Sequence, residues 1–170
     1  MPQPFTIYHF LPLTHHRGAV PIVEELLTQN HRPILDLEDS VSCIFDPERN
    51  DHLKATARKG LLRLADALKA PPLPHETILV RINQRDSHHY PLDIDAIVAC
   101  HQRGFSPSVL LSKTHCADDL RQCQNELISR LKKAVPVVPI IESQRGLDRL
   151  EDTAIPQPEN EAAQALNCQG

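Results

Sequence analysis

Residues 33–53, Pro-Ile-Leu-Asp-Leu-Glu-Asp-Ser-Val-Ser-Cys-Ile-Phe-Asp-Pro-Glu-Arg-Asn-Asp-His-Leu, carry an apolar run of strand length through a polar bend to a helix start. The run Pro33 to Leu37 is short and apolar, as a strand buried in a parallel sheet is, and it closes on Glu38 and Asp39. Asp46, Pro47 and Glu48 then supply an N-cap oxygen, a preset backbone angle and a charge suited to the positive end of a helix. Leu53, Ala57, Leu61, Leu64 and Leu68 follow at helical spacing until Pro71-Pro72 stops the pattern.

The same unit recurs on both sides. Phe5 to Leu11 precedes a helical pattern through Val20, Val23, Leu26 and Leu27. Thr77 to Asn83 leads to a helix beginning near Pro91 and ending at Gly104, a residue suited to a left-handed cap. Ser108 to Lys113 precedes the stripe Leu120, Cys123, Leu127 and Leu131, closed by Lys132-Lys133. Val135 to Glu142 precedes a short helix through Leu147 and Leu150, and periodicity ends after Ala154.

Strands alternating with helices predict right-handed βαβ units and a parallel sheet. An open doubly wound sheet for dinucleotides uses a glycine-rich turn after its first strand, but the chain holds five glycines and no Gly-x-Gly-x-x-Gly. A TIM-type (β/α)8 barrel instead gathers its chemistry at the C-terminal ends of successive strands. The expected fold is therefore α/β, a partial barrel of about five βα units.

Composition excludes several classes. With 18 Lys and Arg against 22 Asp and Glu, the net charge of −4 and the lack of a basic run argue against nucleic-acid binding. The start, Met-Pro-Gln-Pro-Phe, has none of the parts of a signal peptide, and Pro136 and Pro139 interrupt the longest apolar stretch. That stretch falls far short of the roughly 20 residues that span a bilayer. Five cysteines without a Cys-x-x-Cys pair fit reduced thiols, so the expected compartment is the cytoplasm. No Gly-x-Ser-x-Gly nucleophile elbow occurs.

The strand ends carry the candidate chemistry: Asp36, Glu38 and Asp39 on the second run, Arg81 on the third, Lys113 on the fourth and Glu142 on the fifth. Period-two alternation points Asp36 and Glu38 the same way and sends Asp39 opposite or out through the loop. Neighbouring carboxylates raise each other's pKa unless a cation intervenes, and magnesium suits oxygen ligands. His15-His16 and His88-His89 are the other metal candidates, but adjacent residues of a strand face opposite ways, so both pairs read as solvated loop residues.

The segments Ile34-Leu-Asp-Leu-Glu-Asp-Ser-Val41, Val80-Arg-Ile-Asn83, Leu110-Leu-Ser-Lys113 and Ile140-Ile-Glu-Ser-Gln-Arg-Gly146 resemble, in order and spacing, the successive signatures of the HpcH/HpaI aldolase and citrate lyase β-subunit family. The resemblance runs from about Phe5 to Leu150. It implies magnesium-dependent cleavage of a carbon–carbon bond, in which a 3-hydroxy acyl-CoA or hydroxy acid gives a 2-oxo acid and an acyl fragment. By that resemblance Glu142 is the metal ligand and also borders the substrate, and Arg81 binds the carboxylate or keto oxygen. Glu38 and Asp39 hold metal-bound waters, and Lys113 supports the acidic mouth. The implied partners are a 2-oxo acid or acyl-CoA and further copies of the chain.

The match has departures. Leu13 and His115 stand where the family usually shows a glycine and a glutamate, and no Asp follows Asp152, although the family takes a second metal ligand from strand six. At about 31 residues per βα unit, 170 residues hold about five and a half. The expectation is a partial barrel over residues 1–154 and a polar tail over 155–170, belonging to a truncated descendant, a fragment, or a half that assembles with another chain. Thioester hydrolysis on the same site, and an inactive partial barrel acting by association, are the alternative functions.

Overall fold

The computed structural model of the chain describes residues 6–15, 19–68 and 77–149. Phe5, His16, Pro71-Pro72, Leu150 and the expected tail at 155–170 lie outside them. Five strands, β1 (Tyr8–Pro12), β2 (Arg32–Asp36), β3 (Leu79–Ile82), β4 (Ser108–Leu111) and β5 (Val137–Pro139), alternate with five helices. The helices are α1 (Ala19–Thr28), α2 (Asn50–Leu68), α3 (Tyr90–Gln102), α4 (Ala117–Leu131) and α5 (Gln144–Leu147).

All pairings are parallel, and the strand order equals the sequence order, β1-β2-β3-β4-β5. A doubly wound sheet reverses direction at a switch point; this one winds a single way, as a barrel wall does. The burial pattern agrees. Leu35, Leu37, Val80, Ile82, Val109, Leu111 and Val137 pack with residues of α2, α3 and α4 into one core. The opposite face carries a separate cluster of Ile34, Leu79, Leu110 and Ile140. Period-two alternation thus splits each strand between a helix-covered outer face and an inner face, and Asp36 and Arg81 continue the inner rows of Ile34 and Leu79.

Local differences from the sequence reading have physical causes. A 3-10 turn, Pro47–Arg49, precedes α2, and Asp46 makes no side-chain cap bond, pairing instead with Arg49 at 3.8 Å. The buried stripe of α2 begins at Lys54 rather than Leu53. β5 is shorter than expected because Pro136 and Pro139 have no N–H to give the ladder. Its pairing nevertheless continues, with Ile140 N donating to Leu111 O at 2.9 Å and Thr114 N to Ile140 O at 3.0 Å. Gly104 takes the left-handed position after α3, with φ 85°, and Lys132 does so after α4, with φ 57°. Among the described residues no helix is long and apolar enough to cross a membrane.

Candidate active site

The register of β2 against β3 sets Asp36 beside Arg81. Arg81 donates from Nε to Asp36 Oδ1 at 2.8 Å and from Nη2 to Oδ2 at 2.5 Å. The backbone N–H groups of Glu38 and Ser40 donate to the same carboxylate at 2.9 and 3.0 Å. Burial alone would raise the Asp36 pKa, but these donors, Arg81 foremost, outweigh it and hold the carboxyl below its ordinary value. The Phe10 ring lies 4.6 Å from the Arg81 guanidinium carbon, so the side chain is fixed on two sides.

Beyond Asp36 the chain leaves the strand, and the 3-10 turn Asp39–Val41 brings Asp39 back toward the inner face. Strand alternation therefore misplaces Asp39. It lies 3.4 Å from Arg81 Nη1 and 3.4 Å from Lys113 Nζ. Glu38 is buried, with Oε1 accepting from Lys113 Nζ at 2.7 Å and Oε2 lying 3.4 Å from Arg81 Nη1 without a hydrogen bond. Burial and the neighbouring Asp39 raise the Glu38 pKa, with Lys113 opposing; the more exposed Asp39 is lowered, despite its own partial burial, by Glu38 and the two cations.

Lys113 stands at the end of β4 in a left-handed conformation, φ 49°, which is sparsely populated for a residue with a Cβ and recurs at functional sites. Its N–H donates to Glu142 Oε1 at 3.1 Å. Glu142 itself is exposed. Its loop is tied to β4 by Thr114 N and by His115 Nδ1, 2.9 Å from Ser143 Oγ. All five sequence-predicted residues, Glu38, Asp39, Arg81, Lys113 and Glu142, thus belong to one connected mouth at the C-terminal ends of β2 to β5.

A buried layer beneath the mouth escaped the sequence reading. Lys54 Nζ donates to the carbonyls of Leu37 and Glu38 at 3.3 and 3.0 Å and to Asn83 Oδ1 at 2.7 Å. Burial lowers its pKa, against the pull of Glu38 and Asp93. Asn83 in turn donates from N and Nδ2 to Asp93 Oδ2 at 2.9 and 2.6 Å, and Arg58 closes the layer on Asp93 Oδ1 at 2.8 Å. The available signal was a lysine and an aspartate on otherwise apolar helix faces.

The second histidine pair departs from the expected solvated loop. His88 and His89 are not strand neighbours but sit in the turn into α3, where their rings approach to 3.9 Å between centroids. Their Nε2 atoms lie 3.0 and 3.4 Å from Asp51 Oδ1, and His89 is buried.

The mouth suits a hard cation. Its ligand atoms are carboxylate oxygens, most of them bonded to Lys113 or Arg81, and the buried Glu38 Oε2 lacks a hydrogen-bond partner among the described residues. Magnesium keeps several waters and needs only one or two protein carboxylates, which Glu142 with Glu38 and Asp39 could provide.

Comparison with known proteins agrees with this architecture. CitE from Mycobacterium tuberculosis in complex with magnesium, acetoacetate and coenzyme A superposes with a TM-score of 0.62 at 21% identity, covering 90% of this chain and 45% of that one. The citrate lyase β subunit from the same organism, complexed with oxaloacetate and magnesium, gives 0.57 at 21% identity, covering 86% and 51%. RipC from Yersinia pestis gives 0.57 at 26% identity, covering 92% and 54%. The chain spans about half the length of these structures, and no curated protein matches it. The sequence profile of HpcH/HpaI aldolase/citrate lyase matches residues 28–163, most of the chain, which therefore belongs to that family.

Proposed function

We propose that the mouth binds magnesium together with a 2-oxo acid or hydroxy acid, and supports cleavage of a carbon–carbon bond in a 3-hydroxy acyl-CoA or hydroxy acid. The observation that carries this reading is the preset guanidinium of Arg81. Asp36 occupies its Nε and one Nη2 hydrogen, which leaves Nη1 directed at Glu38 and Asp39 with only long contacts of 3.4 Å. Nη1 is thus the donor available to a substrate carboxylate or keto oxygen, in a fixed orientation that costs little ordering when a ligand arrives.

Magnesium on Glu142, with waters held by Glu38 and Asp39, would stabilise oxyanion charge as the bond breaks. The remaining work falls to the chain. Glu38, with its raised pKa and unpartnered Oε2, is the group suited to take the hydroxyl proton of the substrate, while the bonding pair leaves with the acyl fragment as its enolate, which regains one proton to complete the cleavage. Lys113 bridges Glu38 and Asp39, offsetting part of their mutual repulsion, and fixes the Glu142 carboxylate through its own N–H.

Thermal unfolding with and without millimolar magnesium and oxaloacetate tests this reading. A ligand bound only by the native state raises its stability by mass action. The expected result is a midpoint that rises most with both present and does not rise in Arg81→Ala. A rise of equal size in Arg81→Ala would refute the assignment.

Association through the inner face is a second reading, favoured by one observation. Tyr8 and Val138 are about half exposed there, at 47% and 43%, and line a mainly apolar cavity of about 640 Å³ together with Ile34, Leu79 and Leu110. We take a second copy of the chain as the partner, a homo-oligomer, and light scattering across a dilution series measures it. A monomer at all concentrations would dismiss it.

A further inference from the structure

We propose that Asp51, His88 and His89 form a binding site for a divalent transition-metal ion of the zinc type, separate from the all-oxygen mouth. One ligand atom from each of the three residues lies within 4.8 Å of the other two, close enough for a single ion to draw all of them into its coordination shell. Two imidazoles and one carboxylate are the donors that zinc and its neighbours in the first transition row prefer, whereas magnesium selects oxygen alone. The two sites are therefore separable by metal chemistry as well as by position.

The arrangement is built rather than incidental. Asp51 lies in the first turn of α2, and His89 immediately precedes α3, where its carbonyl accepts from Asp93 N at 3.0 Å and its N–H donates to Ser87 Oγ at 3.2 Å. Both ends of the site are thus mounted on helices that pack together through the core. The ring of His89 is buried and its Nδ1 has no hydrogen-bond partner among the described residues. The other ring nitrogen, Nε2, is the one turned to the cluster, 3.4 Å from Asp51 Oδ1 and so beyond an ordinary hydrogen bond, which leaves it placed as a ligand atom.

Three protein ligands leave coordination positions open, as catalytic zinc sites do. The space before them is a cavity of about 300 Å³ lined by Asp51, His88 and His89 together with Glu38, Asn83 and Lys113. An ion at the three-residue site would thus border the same cavity as the mouth and could take an anionic group of a molecule held there. Lys54 also lines this cavity, but its ammonium is committed to two carbonyls and Asn83.

The test is calorimetric titration of the metal-free full chain with Zn2+, repeated spectroscopically with Co2+. One equivalent should bind, and His88→Ala and Asp51→Asn, both altering exposed side chains, should each weaken it by roughly 10- to 100-fold or more. Circular dichroism melts of both variants check that the fold is retained. The bound Co2+ should show ligand-field bands without a thiolate charge-transfer band. Absence of binding, unchanged affinity in both folded variants, or a thiolate band from one of the cysteines would overturn the assignment.

Discussion

Arg81 meets Asp36 side-on, with Nε and Nη2 bonded to separate oxygens of one carboxylate at 2.8 and 2.5 Å. The pair joins β3 to β2 at the floor of the mouth, and both side chains are buried, at 10% and 0% exposure. Removing one partner strands the other charge in a poorly solvated place. Asp36→Ala is therefore expected to cost about 3–5 kcal/mol, read as a lower urea midpoint. The double variant Asp36→Ala with Arg81→Ala should cost less than the sum of the two single changes, since each single change already breaks the same interaction.

Glu142 presents the opposite case. It is exposed, and among the described residues its Oε1 accepts only the Lys113 N–H, a bond that a glutamine oxygen can also accept. Glu142→Gln is expected to change stability without metal by no more than about 0.5 kcal/mol. On the proposed reading it abolishes the rise in melting midpoint produced by magnesium with oxaloacetate. A variant that melts like the parent without metal and still shifts fully with it would remove Glu142 from the metal site.

What the sequence made legible follows from what it encodes locally. The strand runs, the α2 and α4 stripes and the polar strand ends are written in period and position, so Glu38, Arg81, Lys113 and Glu142 could be found at one mouth. Strand alternation alone could not place Asp39, because a 3-10 turn beginning at Asp39 breaks the period of two. Lys54 was hidden for the converse reason: a lysine at helical spacing reads as solvated, and only the approach of two β2-loop carbonyls and Asn83 makes its burial affordable. His88 and His89 depended on Asp51, some 37 residues away in sequence, which no local pattern can report.

Stability should depend on His101, near the end of α3. Burial, and then Lys133, push its pKa from 6.5 down to about 4. The native state therefore binds fewer protons there than the unfolded chain, and the unfolded chain gains protons first as pH falls. Stability from this group is intact above pH 6.5 and is lost progressively between 6.5 and about 4. Urea titrations across that window should show a steeper decline in the parent than in His101→Gln, which carries no titrating group. Parallel declines would mean that His101 titrates alike in both states.

Gly146 decides how closely the Glu142 loop seats on β4. A Cβ at this position would stand 2.6 Å from the Thr114 carbonyl oxygen and 3.1 Å from Ile141 Cγ2, so the backbone of one loop must move away from the other. Overpacking of this kind costs about 1–3 kcal/mol. The displaced loop carries both Ser143, bonded to His115, and Glu142, bonded to the Lys113 N–H. Gly146→Ala is therefore expected to lower the melting midpoint and also to shrink the magnesium-dependent rise, although every proposed ligand remains. Gly104→Ala supplies the contrast: its φ of 85° makes the substitution strained, but nothing lies within 4 Å of the added Cβ and the mouth is untouched. It should lower the midpoint while leaving the magnesium response whole. Equal responses in the two variants would show that seating of the β5–α5 loop has no part in holding the metal.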